Sequence, residues 1–224
     1  MLKVVIGEIL PLALVVTISP LNIIPAILLL FPSRPLTNAL TFLAGFVGGI
    51  AAVLGLLILI GGAADLSPDS GHSTWAGIVK LVLGMYLLIA AVRKFRGRPK
   101  QGEEGSLPSW MDGISGYTPG RSLGAGAVLG AVNPKNIVVA VATAAAIAAG
   151  GLSAGQQVAA SAVYVFVAVL GVAAPIVVML SLGDRAPGVL EGWNAWLRHN
   201  NASVMSVLFL IFGVVLIGQG VAAT

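Results

Sequence analysis

The chain is predicted to be an all-α polytopic membrane protein: six transmembrane helices in two inverted three-helix repeats, the first and fourth helices broken at proline. Three observations predict this. Of 224 residues, 58% are hydrophobic and 9% charged, mean hydropathy is +1.01, and several apolar runs reach the ~18 residues a span needs. A cap-Pro-x-Asn-Ile pattern occurs twice, at Ser19-Pro20-Leu21-Asn22-Ile23 and Asn133-Pro134-Lys135-Asn136-Ile137, each near the middle of an apolar segment. Basic residues, finally, are sharply segregated among the loops.

The first span, 4–31, is longer than a signal-peptide core and ends without a small-residue cleavage site, so it is expected to stay in the mature protein. Pro32, Ser33, Arg34 and Pro35 form the turn to the second span, 38–62, where Gly45, Gly48, Gly49 and Gly55 let helices approach closely. After a polar loop with Asp65, Asp69 and His72, Trp75 opens the third span, 75–92, as an interfacial anchor. Arg93, Lys94, Arg96, Arg98 and Lys100 close it. The fourth, fifth and sixth spans are read at 123–148, 155–181 and 203–221, divided by short loops at Gly150-Gly151 and Gly183–Arg185. The whole is one transmembrane domain: repeat one at 1–92, a loop with an interfacial helix at 93–121, and repeat two at 122–224.

An excess of Lys and Arg marks cytoplasmic loops. Placing the 93–121 loop inside puts nine basic residues inside against Lys3 alone outside, which sets both termini outside. Three spans per half is an odd number, so the halves are inverted, as in secondary transporters with broken helices at the midplane.

The breaks carry the candidate chemistry. Asn and Ser are favoured caps and Pro suits the first helical position, so Ser19-Pro20 and Asn133-Pro134 each start a half-helix inside a span. Such a start offers unpaired N–H groups and the positive end of a helix dipole, a site for anions. Ser19, Pro20, Asn22, Asn133, Pro134, Lys135 and Asn136 are therefore the candidate substrate-binding residues. A charge in mid-bilayer is costly and usually functional or partnered; Lys135 reads as a headgroup ligand, or more plainly as a lysine that snorkels or neutralises a carboxylate. Glu8, Lys80, Asp112 and Arg121 are coupling or gating candidates. Glu8 carries a proton, pairs with Lys80 or is an interfacial carboxylate; Lys80 contacts substrate or snorkels to the outer interface. From Ser106 to Arg121, Leu107, Trp110, Met111, Ile114 and Tyr117 recur at spacings of three and four, which suits a helix in the inner interface. It is a surface anchor or a gate in which Asp112 pairs with Arg121 or Lys135. The basic run before it attracts anionic headgroups on either reading.

Other classes are excluded. No P-loop sequence is present, so nucleotide hydrolysis is not expected. There are no cysteines, His72 and His199 are expected in loops on opposite sides, and carboxylates are too scattered for a cation site. No metal, cofactor, enzyme activity or nucleic-acid partner is expected.

Across nearly its full length the chain resembles the actinobacterial peptidoglycolipid or sulfolipid addressing proteins, within the LysE superfamily of small exporters. The resemblance is carried by Ser19-Pro20-Leu21-Asn22-Ile23-Ile24, Leu107-Pro108-Ser109-Trp110-Met111-Asp112, Thr118-Pro119-Gly120-Arg121, Asn133-Pro134-Lys135-Asn136, Gly151-Leu152-Ser153 and Trp196-Leu197-Arg198-His199-Asn200-Asn201-Ala202. It implies six helices in two repeats and movement of cell-envelope lipids or glycolipids across the inner membrane. The expected function is a secondary exporter or flippase for a lipid with a polar or anionic head. Its partners would be membrane lipids, the substrate, and a second copy or an envelope-lipid export machine. The alternatives are an exporter of amino acids or other small solutes, and a non-transporting accessory subunit of such a machine.

Overall fold

A computed structural model describes residues 1–31, 35–63, 72–98, 111 and 113–223, and among them the only regular structure is helical. Helices α1 (Leu2–Thr17) and α2 (Pro20–Leu28) meet at a 49° bend, and α5 (Pro119–Val132) and α6 (Pro134–Ala149) at 57°. Both breaks fall where Ser19-Pro20 and Asn133-Pro134 predict them. Proline lacks the N–H that would continue the ladder and its ring clashes with the preceding turn, so each helix must restart. The unbroken helices are α3 (Pro35–Ala63), α4 (His72–Arg96), α7 (Ala154–Leu182) and α8 (Ala186–Ala223). Among the described residues, α3 and the run Ala154–Ala222 are long and apolar enough to cross a bilayer, and each bent pair adds a crossing if counted as one span.

Several boundaries differ from those predicted. Helix α5 begins at Pro119 because the Thr118 hydroxyl oxygen accepts from the Arg121 N–H at 3.4 Å. Helix α8 begins at Ala186, well before the predicted 203, so His199 lies within a helix, and His72 is the first residue of α4. The polar stretch there stays helical by serving itself: Arg198 Nε donates to Asn194 Oδ1 and Asn200 Nδ2 to the Trp196 carbonyl, both at 3.0 Å. Gly183, with φ +51°, supplies the left-handed residue at the end of α7. The chain then folds back, since Trp193, Trp196 and Leu197 share a 360 Å³ cavity with Gly171 and Ala174 of α7.

The predicted interfacial helix is only partly within view. Leu107, Trp110 and Asp112 lie outside the described residues, as does the side chain of Trp75. Met111 and Ile114 are buried in the protein core, and among the described residues of this stretch the regular structure is 3-10, at Met111 and at Ile114–Gly116. For these two residues the membrane-surface placement is corrected: their apolar side chains turn towards the protein rather than lipid.

Helices pack mainly across the two sequence halves. The contacts α3–α5, α3–α6 and α2–α8 each have a counterpart, α7–α1, α7–α2 and α6–α4, when the halves are exchanged, while α4–α8 and α3–α7 map onto themselves. Glycines set the closest approaches. Gly45 and Gly49 of α3 lie against the Leu123 and Ala127 carbonyls, and Gly126 and Gly130 of α5 against those of Phe42 and Phe46, so two small-xxx-small motifs interlock. Gly171 meets the Thr17 carbonyl where α7 crosses α1, and Gly84 and Gly213 face one another between α4 and α8. Gly48, Gly55 and Gly124 face open space.

Large apolar side chains such as Leu40, Leu59, Val82, Phe166 and Val214 are exposed all around the outside. Water would penalise so much apolar surface, and hydrocarbon does not. This is a membrane protein.

Candidate functional site

The two breaks meet in space. Asn133 Nδ2 donates to Asn22 Oδ1 at 3.4 Å, tying the start of α6 to the start of α2. The paired asparagines also repair the damage done by each break. Asn22 Nδ2 donates to the Val16 carbonyl and Asn136 Nδ2 to the Leu129 carbonyl, both at 3.1 Å, in each case satisfying a carbonyl in the last turn of the half-helix before the break. The Asn of cap-Pro-x-Asn-Ile is thus explained by backbone chemistry: an interrupted helix leaves carbonyls without partners, and inside a membrane no water is there to take them.

The caps divide differently from the prediction. Asn133 caps α6, its Oδ1 accepting from the Lys135 N–H at 3.3 Å. Ser19 occupies the cap position of α2 but makes no side-chain cap bond; its hydroxyl points to the Met205 sulfur at 3.9 Å. The Ser19 carbonyl takes the N–H groups of both Asn22 and Ile23 instead, at 3.0 and 3.1 Å. Of the first-turn donors, the Asn22 and Lys135 N–H groups are thus taken within the protein, while the Ile23 and Ile137 N–H groups make the ordinary first helical bonds to the Ser19 and Asn133 carbonyls. Cationic side chains add to the positive potential of the two half-helix starts.

Lys135 is the foremost of these. It is 6% exposed, and its Nζ lies 3.5 Å from the Val15 carbonyl, with no carboxylate in ion-pair range among the described residues. It lines a cavity of about 640 Å³ with Arg93 and Lys94 from the end of α4, and Arg198 and Asn201 from α8. Leu21, Asn133 and Pro134 complete the wall where the breaks join. Among the described residues, no Asp or Glu lines it. The Oδ1 atoms of Asn136, beside Lys135, and Asn201 are buried without hydrogen-bond partners, and an unpaired buried acceptor is costly until something donates to it. Exposed Tyr86 and Ile89 form part of the rim, so the cavity opens sideways onto the apolar surface.

Of the predicted binding residues, Asn133, Pro134 and Lys135 line this cavity; Ser19, Pro20, Asn22 and Asn136 are buried behind it. Glu8 and Lys80 form an ion pair at 3.4 Å. Lys80 does not snorkel: it is 5% exposed, held between α1 and α4. Arg121 is exposed and lines a second, apolar cavity, so it does not share a space with Lys135; the predicted gate partner Asp112 lies outside the described residues. Arg93, Lys94, Arg198 and Asn201 were not singled out as site residues by sequence reasoning. The signals available were that Arg93 and Lys94 belong to a basic run closing a helix, which fits a loop anchor equally well, and that Arg198 and Asn201 fall in one of the stretches that carry the family resemblance.

The model of the Sap, sulfolipid-1-addressing protein, family matches residues 9–222. The chain belongs to this family. No curated protein and no solved structure matches the chain. In a sulfolipid-1-addressing protein the match embraces both breaks, the basic cavity and the long α8, so the features built above are within the family's own span rather than in an appended segment. The family's description refers to a lipid, sulfolipid-1, and names no reaction.

Proposed function

We propose that this sulfolipid-1-addressing protein is a secondary exporter or flippase that carries a lipid with an anionic, hydroxyl-bearing head across the plasma membrane. The observation that carries the reading is the cavity, without a carboxylate among its described lining residues, in which Lys135, buried at the helix break, is joined by Arg93, Lys94 and Arg198. Four cationic side chains attract an anion, and the unpaired Asn201 acceptor suits a hydroxyl donor on the same head. The side opening past Tyr86 and Ile89 lets a tail stay in lipid, which a closed cavity for amino acids would not need. The family description, which refers to sulfolipid-1, agrees with a head of this chemistry.

The same reading places six spans as two inverted repeats, supported by those helix pairs that map onto one another when the halves are exchanged. Both termini lie outside and the 93–121 loop is cytoplasmic, so the basic cavity, framed by the end of α4, opens inward. Alternating access then carries the head past Lys135. The test is a reconstituted-liposome assay following a labelled anionic glycolipid and a labelled amino acid, for wild type and Lys135→Ala at matched protein level. Lipid movement lost in the variant is the expected result. Movement of the amino acid alone overturns the substrate class, and movement of neither favours an accessory role in a larger lipid-export machine.

A further inference from the structure

We infer that one acyl chain of the transported lipid lies in an apolar groove along α5 while its head is at Lys135; this rests on the head site proposed above. The groove is a separate cavity of about 730 Å³. Most of its wall is one stripe of a single helix, Arg121, Gly124, Ala125, Val128, Leu129 and Val132, at the spacings of three and four that share a helix face, with Tyr117 from just before that helix at the Arg121 end. Leu21, Asn133 and Pro134 close its far end, and the same three residues belong to the basic cavity. The two spaces therefore lie on either side of one ridge, the joined helix breaks, with cations on one side and hydrocarbon on the other. An amphiphile bent over that ridge has its head beside Lys135 and its chain against α5.

Three details fit a chain better than a headgroup. Apart from Arg121 at one end and Asn133 at the other, the α5 stripe offers no charged or amide side chain. Gly124, part-way along, has nothing within 4 Å of where a Cβ would stand, so the floor is hollow where a side chain would otherwise fill it. From Arg121 to Val132 the stripe rises about 17 Å at ~1.5 Å per residue, close to half a hydrocarbon core of ~30 Å. A chain gains little free energy by leaving lipid for such a groove, so the groove's work is registration: it fixes where the tail rests while the head crosses the ridge.

The experiment uses the full chain in liposomes with a long-chain alkyl sulfate bearing a diazirine at the chain end. Light-induced labels are mapped by peptide sequencing in wild type, Gly124→Trp, Val128→Trp and Lys135→Ala. Labels concentrated on the α5 stripe, competed by unlabelled alkyl sulfate, are expected. Both tryptophan variants should reduce them about tenfold, equivalent to ~1.4 kcal/mol of lost seating. The two tryptophans fall on open positions, and retained headgroup competition, read with a probe labelled near the sulfate, shows that the protein is folded. Competed labels on lipid-facing α3 or α7, unchanged by the tryptophans, overturn the groove but leave the head site standing. Labels that no competitor and no Lys135→Ala substitution changes overturn the head site itself, and the groove with it.

Discussion

A single methyl group distinguishes the two faces of α5. Gly126 and Gly124 sit two residues apart on the same helix, yet a Cβ at Gly126 would run into the Phe42 carbonyl and the Phe46 backbone of α3, whereas one at Gly124 meets nothing. For Gly126→Ala to reach an ordinary C···O separation of ~3.3–3.6 Å, α3 and α5 must part along their length. The interface cannot absorb this locally, because Gly45 and Gly49 hold α3 against α5 just as tightly from the other side. Overpacking of this kind costs about 1–3 kcal/mol, and the upper part applies because the obstacle is backbone. Against it stands the ~1 kcal/mol by which Ala outranks Gly within a helix. Gly124→Ala collects that gain without the clash, so the two variants should differ by about 2–3 kcal/mol. The assay is reversible unfolding from mild detergent by graded addition of sodium dodecyl sulfate, followed by circular dichroism. Equal midpoints for the two variants would refute the claim that glycine sets the α3–α5 distance.

Other expectations follow from the same contacts. On the facing helix, Gly49→Ala should destabilise and Gly48→Ala should not, in the same unfolding assay. Asn133→Ala removes both the α6 cap and the link to Asn22 and should cost about 0.5–2 kcal/mol for the cap alone; Asn133→Ser, which keeps a capping oxygen, should recover part of it. Glu8→Ala strands buried Lys80 and should destabilise, while the double variant Glu8→Ala/Lys80→Met should regain most of the loss in a double-mutant cycle; a strictly additive double variant would show the pair to be uncoupled. Arg198→Ala and Arg93→Ala should each weaken binding of an alkyl sulfate by about 1.5–3 kcal/mol if the charge bonds the anion directly, with a smaller salt dependence than wild type, as measured by isothermal titration in detergent.

Much of the fold was legible because it rests on local rules. Asn133-Pro134 and Ser19-Pro20 announce a cap and a first helical position, and the breaks fall there. Their consequence was less legible: of the N–H groups expected to greet an anion, that of Lys135 is taken by the Asn133 side chain and that of Asn22 by the Ser19 carbonyl. The asparagines at 22 and 136 looked like ligands, but their amide nitrogens mend carbonyls that the breaks expose. Helix α8 was begun too late because Arg198, Asn200 and Asn201 read as loop; the partners that Arg198 and Asn200 find four residues back serve the helix. Arg93 and Arg198 are over a hundred residues apart in sequence, and nothing local says that they face one cavity.

The exchange of partners between the halves bears on how such a protein comes to be assembled. Helices α1, α3 and α4 find their closest neighbours, α7, α5 and α8, in a part of the chain that the ribosome makes later. The early helices must therefore wait in the bilayer with their glycine faces bare, and they are completed only when the later ones arrive. Neither half is a folding unit. Two separately synthesised halves should be degraded when made alone and should accumulate when made together, and the cavity at the two breaks comes into being only at that last step.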